Sequence, residues 1–327
     1  MTTRRQIVIA LGAGALVAPF ASFAQPKPAK VPRIGFLGQA SAAALASRVG
    51  SLRAGLRELG YVEGKNIAIE IRGTEKYERL GDLAAELVRL KVDVLVTQGT
   101  PSAFAAKRAT TTIPIVMPGV ADPVASGLVA SLARPGGNIT GFTYFVDELN
   151  AKRLELLKET FPRITRIAVL SNPDNPATGP MLKAMGLAAK SLKLSLEHFD
   201  VRAPDDIESA FAAMGAKKID AVAVVDDSIL NINAKGIADL AAQRRLPSIG
   251  IPELANAGGL IGYGINILEM YRRAALLVDK ILKGAKPSEL PIERPTTFEM
   301  VINLKTAKAL GLTIPPPLLL RADRVIE

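Results

Sequence analysis

Val92-Asp93-Val94-Leu95-Val96-Thr97, followed by Gln98-Gly99-Thr100-Pro101 and then by Ser102 to Arg108, decides the fold. The first six residues are a short apolar run rich in β-branched residues, the mark of a strand buried on both faces. The next four form a turn. Thr100 reads as a helix N-cap and Pro101 as the first helical residue, so 101–108 is expected to be helical. A third buried strand is expected at Ile113–Met117. Strand, capped turn, helix and strand make one parallel β-α-β unit.

The same unit recurs in both directions. Upstream, Arg33–Gly38 reads as a buried strand, and Leu45, Val49, Leu52, Leu56 and Leu59 make one apolar helical face that ends at Gly60. Asn66–Ile71 is expected as a strand and Tyr77–Leu90 as a helix. Downstream, a Gly/Pro-rich stretch leads to a short strand near Ile139–Tyr144, and the alternation restarts. Helices are expected at 148–160, 176–192, 205–215, 231–243 and 267–283, with strands at 166–171, 195–201, 221–226 and 247–251. Two successive runs joined near residue 144 predict an α/β chain of two lobes, each a doubly wound parallel sheet.

Residues 1–24 stand apart. Arg4-Arg5 precedes an apolar stretch from Ile7 to Phe23 that ends Ser22-Phe23-Ala24 and holds no acidic residue. This is the pattern of a cleaved export signal. The stretch falls short of the ~20 residues that span a bilayer. Export by the twin-arginine or the Sec route fits, and with no cysteine in the chain there is no residue to lipidate. Residues 25–30 read as a Pro/Lys linker, and the expected location is the periplasm. The net charge of +10 comes from scattered Lys and Arg, with no Trp and 5% aromatic residues. Stacking platforms are scarce, so no nucleic-acid partner is expected.

Ligands of open parallel sheets bind beyond the carboxyl ends of the strands. The turns there supply the candidate residues Gln39, Ser41, Gln98, Gly99, Thr100, Asp122, Ser171, Asn172, Asp226 and Asp227. Each turn is expected to end in a helix cap, and helix starts favour anions. With Asp226 or Asp227 opposite, the set suits a zwitterion: carboxylate on a helix start, ammonium on aspartate. Tyr144 and Tyr263 sit near the expected lobe connections, where they either wall a cleft or pack beneath a crossover strand. Catalytic motifs are missing. His198 is the one histidine, there is no cysteine, and neither a G-x-S-x-G elbow nor a Walker loop is present. No catalytic residue, metal site or cofactor is expected. A carboxylate-dependent hydrolase is the enzyme alternative.

Several runs carry a resemblance. These are Leu56-Arg57-Glu58-Leu59-Gly60-Tyr61-Val62-Glu63-Gly64-Lys65-Asn66, Asp122-Pro123-Val124 with Gly127-Leu128-Val129, and Ser131-Leu132-Ala133-Arg134-Pro135-Gly136-Gly137-Asn138-Ile139-Thr140-Gly141. The tail Asn303-Leu304-Lys305-Thr306-Ala307-Lys308-Ala309-Leu310-Gly311-Leu312 with Ile314-Pro315-Pro316 completes them. Together they resemble the type I periplasmic substrate-binding proteins of ATP-binding-cassette (ABC) importers, closest to the subfamily linked to tryptophan and other aromatic amino acids. The resemblance implies a three-crossover hinge between a first lobe at 31–143 plus 264–292 and a second at 144–263 plus 293–327. It implies a monomer that captures a small anionic or zwitterionic ligand and delivers it to an ABC permease in the inner membrane, with a sensory binding subunit as the alternative. It also implies that Thr100 and Ser41 hold a carboxylate and that Asp226 or Asp227 meets an ammonium. Val225-Asp226-Asp227-Ser228 stands where amino-acid-type relatives often read Thr-Asp-Asn, which leaves the choice between the two aspartates open.

Overall fold

A computed structural model describes residues 30–144 and 146–327. The expected export signal and nearly all of the expected linker, at residues 1–29, lie outside them.

The first sheet takes its strands from β1 (Arg33–Gly38), β2 (Ala68–Gly73), β3 (Val94–Thr97), β4 (Ile115–Val120) and β5 (Ile139–Thr143). Its order is β2-β1-β3-β4-β5, parallel throughout. Helices α1 (Ala46–Glu58), α2 (Leu80–Arg89) and α3 (Gly99–Ala109) connect the strands. Both faces are apolar because alternate residues point to opposite sides. Ile34, Phe36, Val94, Val96 and Val116 enter one core cluster, while Leu37, Leu95, Ile115 and Met117 enter another.

The chain then builds a second sheet. Its helices and strands are α4 (Val146–Thr160), β6 (Arg166–Ser171), α5 (Thr178–Ser191), β7 (Ser195–Asp200), α6 (Asp206–Met214), β8 (Ala221–Val224), α7 (Ser228–Ile232), α8 (Ala234–Gln243), β9 (Ser248–Gly250), α9 (Pro252–Asn256) and β10 (Ile261–Gly264). Helix α10 (Ile267–Leu282) returns to the first sheet, where Met270, Tyr271, Ala274 and Val278 join the core of Ile34 and Phe36. The approach of α10 to α1 is close: a Cβ at Gly55 would stand 2.2 Å from the Arg272 carbonyl oxygen. After an isolated bridge between Phe142 and Glu293, the chain crosses again to β11 (Glu299–Asn303), α11 (Leu304–Leu310), α12 (Pro316–Leu319) and β12 (Arg324–Ile326). The order of the second sheet is β12-β11-β10-β9-β8-β6-β7. The chain therefore passes between the sheets after β5, after β10 and before β11.

Four local readings need correction. The pair β10–β11 is antiparallel, because β11 enters from the far side after its detour through the first lobe. The helix expected at 231–243 is two, α7 and α8, which meet at Asn233. Asn66 lies in a turn rather than a strand: its Oδ1 accepts from the Val62 amide at 2.6 Å and its Nδ2 donates to the Gly60 carbonyl at 2.9 Å. Helix α3 begins at Gly99 with Gln98 as its N-cap, two residues ahead of the expected Thr100 cap. Gly99 makes this possible by adopting a φ of 67°, in the left-handed region.

Candidate functional site

A chamber lies between the two lobes at the carboxyl ends of β3, β4 and β8. Of the candidates, Gln98, Gly99, Thr100, Tyr144 and Asp226 line it. Gln39 stands behind Gln98. Its backbone amide donates to Gln98 Oε1 at 2.7 Å, and its side-chain amide donates to the Gln98 carbonyl and, at 3.2 Å, to Ser102 Oγ. These bonds fix the Gln98 amide and leave its Nε2 buried without a partner, a donor available at the chamber wall.

Six candidates lie elsewhere. Ser41 is exposed, and no helix starts beside it: α1 begins at Ala46, and Ser41 Oγ accepts only from the Ala44 amide at 3.4 Å. Ser171 and Asn172 are buried behind the wall, where Asn172 Oδ1 accepts from the Asp174 amide at 3.0 Å and shapes the loop to Asn175. Tyr263 stacks on Phe298 with ring centroids 6.4 Å apart. Asp227 caps α7 through Oδ1, which accepts from Ile229 at 2.8 Å and Leu230 at 3.4 Å. Its Oδ2 accepts from Asn175 Nδ2 at 2.9 Å and from the Tyr77 hydroxyl at 3.0 Å. Asp122 ends in a turn rather than a helix, its Oδ1 accepting from Val124 at 3.0 Å and Ala125 at 2.9 Å, and it lines a neighbouring cavity.

Two arginines complete the chamber, and neither was among the candidates. Arg153 of α4 is fully buried, and its Nη1 donates to Asp226 Oδ2 at 2.6 Å while Nη2 reaches Oδ1 at 3.3 Å. It also donates to Asn150 Oδ1 at 2.9 Å and to the Tyr263 carbonyl at 2.8 Å. Asp226 thus reaches the chamber already neutralised from behind. Arg48 of α1 is 7% exposed and lines the chamber. Among the described residues it makes no ion pair and no hydrogen bond. A permanently charged guanidinium buried in this way is costly until an anion meets it. The sequence held a signal for both: Arg48 falls between Leu45 and Leu52, and Arg153 beside Leu154, each on an apolar helical face.

Electrostatics follow from this placement. Burial pushes the Asp227 carboxyl up, against the pull of its four hydrogen-bond donors. Burial, reinforced by Asp227, pushes the Tyr77 phenol far above its ordinary range. Tyr144 is raised by burial and then by Asp226. Tyr271 is pushed up to about 12 by burial, with Arg48 pulling the other way. Glu253, across the cleft on α9, is also raised by burial and lowered by Arg48. The site therefore holds a neutralised aspartate, the Arg48 cation, which makes no ion pair but lies in the field of the Glu253 carboxyl, and the rings of Tyr144 and Tyr271. No group of His, Cys, Asp or Glu that could hold a metal occurs among the described residues.

Two of the contacts between the lobes across the cleft bear directly on closure. One is the hydrogen bond from Tyr77 in the first lobe to Asp227 in the second. The other is Gly99, where a Cβ would lie 2.7 Å from Ser228 Oγ. Gly99→Ala is expected to lower stability by about 1–2 kcal/mol through its left-handed backbone and to weaken ligand binding several-fold through the clash. Only the closed form carries the clash, so adding Ser228→Ala should recover affinity but not thermal stability. Unchanged affinity in Gly99→Ala, read by calorimetry, would remove this contact from closure.

The profile of the ABC transporter substrate binding protein family matches residues 34–326, and the chain belongs to that family. It is 29% identical over 259 residues to a tyrosine-binding protein of Clostridioides difficile (strain R20291), covering 79% of this chain and 74% of that one. Among solved structures it is similar to an ABC domain from Streptococcus pneumonia in complex with L-Trp, at 27% identity and a TM-score of 0.82, covering 90% of this chain and 99% of that one. It is also similar to the ligand-free, open structure of a substrate-binding protein with adhesive properties from Clostridium difficile, at 26% identity and a TM-score of 0.62, with 90% and 99% covered. Identity is nearly the same in the two cases, yet the likeness is closer to the ligand complex than to the open form, in keeping with lobes that already touch. No described helix is long and apolar enough to cross a membrane.

Proposed function

We propose that the protein is a periplasmic receptor that takes an aromatic amino acid or a related aromatic acid between its lobes and delivers it, unchanged, to an ABC permease in the inner membrane. The observation that carries this reading is Arg48, a buried cation that faces an interlobe chamber and makes no ion pair among the described residues. In this reading the ligand carboxylate lies on Arg48 and accepts from Gln98 Nε2. An ammonium, where present, lies against Asp226, and the ring lies against Tyr144 at the chamber's edge. The ligands named for the tyrosine-binding relative and the L-Trp complex support the class. The protein acts as a monomer, exported on residues 1–24, and makes or breaks no bond.

Thermal shift against a panel of amino acids and aromatic acids tests the assignment. A ligand at one hundred times its Kd is expected to stabilise by about 2.7 kcal/mol, and chromatography of the released ligand should return it intact. A panel in which no aromatic amino acid or aromatic acid moves the transition defeats the reading.

A further inference from the structure

The chamber around Arg48 is small. Its volume is about 30 Å³, room for a carboxylate-sized head group but not for a ring. Beside it, on the hinge side, lies a cavity of about 430 Å³. The two are contiguous, since Thr100, Ala121, Tyr144 and Ala177 line both. Tyr144 forms the partition, and its ring rests against Gly119, where an added Cβ would approach Cε1 to 3.1 Å. The wall of the larger cavity is mostly apolar, with Phe104, Leu132, Pro176 and Met181 drawn from both lobes. Asp122 and Glu148 also line it, against a single guanidinium, Arg294.

We propose that this hinge-side cavity is the outer compartment of a two-part binding site, taking an apolar tail longer than one ring that passes Tyr144 from a charged head held at Arg48. The inference rests on the head-group reading above and adds the ligand's size and its far end. A single ring fills only the part of the outer space next to Tyr144, whereas a two-ring or aryl-alkyl tail removes further apolar area from water deeper in it. The two acids favour a tail that ends in a positive charge or a hydrogen-bond donor. Because both lobes line the compartment, a tail lodged in it touches both and favours the closed form.

The probes are L-phenylalanine and 4-phenyl-L-phenylalanine, which share a head and differ by one ring. Calorimetry on the wild type should find the two-ring compound bound at least as tightly as phenylalanine. Ala125→Trp fills the outer compartment from an exposed turn. It should weaken the two-ring compound by about tenfold or more and leave phenylalanine within about twofold. Ser126→Phe serves as a second filling variant, and circular dichroism checks the fold of each. Two-ring binding more than tenfold weaker than phenylalanine in the wild type, or absent, overturns the proposal. Filling variants that weaken both ligands equally, or neither, also overturn it. Arg48→Met separates the two readings. If it weakens both ligands alike, the head-group assignment stands. If it changes neither while Ala125→Trp still discriminates, the assignment fails and the compartment survives.

Discussion

Arg48→Met is expected to weaken ligand binding by more than about a hundredfold, near 3 kcal/mol, while leaving the empty protein as stable as the wild type or more so. The two effects have opposite signs because Arg48 is buried and makes no ion pair among the described residues. Removing it relieves an unpaired charge in the unliganded state and deletes the carboxylate partner in the liganded one. The methionine keeps most of the stem volume, so packing against Tyr271 changes little. Calorimetry with an aromatic amino acid and denaturant unfolding of the unliganded protein read the two quantities separately. A fall in both would mean that Arg48 serves the fold; a Kd within a factor of three of the wild type would dismiss it from the site.

The second large effect lies one layer deeper. Arg153→Met is expected to destabilise the protein by about 3–5 kcal/mol, because Asp226 would then be buried with its charge uncompensated. Asp226→Leu should cost about as much by orphaning the guanidinium, which keeps only the Asn150 and Tyr263 oxygens. The double variant Arg153→Met/Asp226→Leu should recover a large part of the loss, since an apolar pair often replaces a buried ion pair at little cost. Urea denaturation of the four proteins closes a double-mutant cycle. Additive losses would show that the two side chains do not act as a pair.

Much of the architecture was legible in the sequence. Strands buried on both faces, such as Val94–Thr97 and Ile167–Leu170, appear as unbroken apolar runs, and amphipathic helices such as α10 show their period. Local starts were harder. The sequence Thr100-Pro101 has the chemistry of a cap and a first helical residue, but Gly99, at a left-handed φ, turns the chain earlier, and Gln39 holds Gln98 in place as the cap. Asp122 has cap chemistry too, yet its bonds to Val124 and Ala125 close a turn that no helix continues. The chamber's charge was missed for a different reason. Turns at strand ends carry the motifs that a sequence displays, whereas Arg48 and Arg153 approach the site from helices. An arginine on an apolar face was the available clue. Its meaning depends on what lies opposite: aspartate for Arg153, empty space for Arg48. That information exists only after the lobes are assembled.

The bond between Tyr77 and Asp227 has a consequence for fidelity. It joins the lobes without help from any solute, so part of the closing energy is spent whether or not cargo is present. A hydrogen bond worth about 1 kcal/mol multiplies the closed fraction of the empty protein roughly fivefold. A partner that senses only the closed outline cannot distinguish such a molecule from a loaded one. The latch therefore sets a floor of false signals as well as tightening capture, and its strength balances sensitivity at low solute against futile engagement.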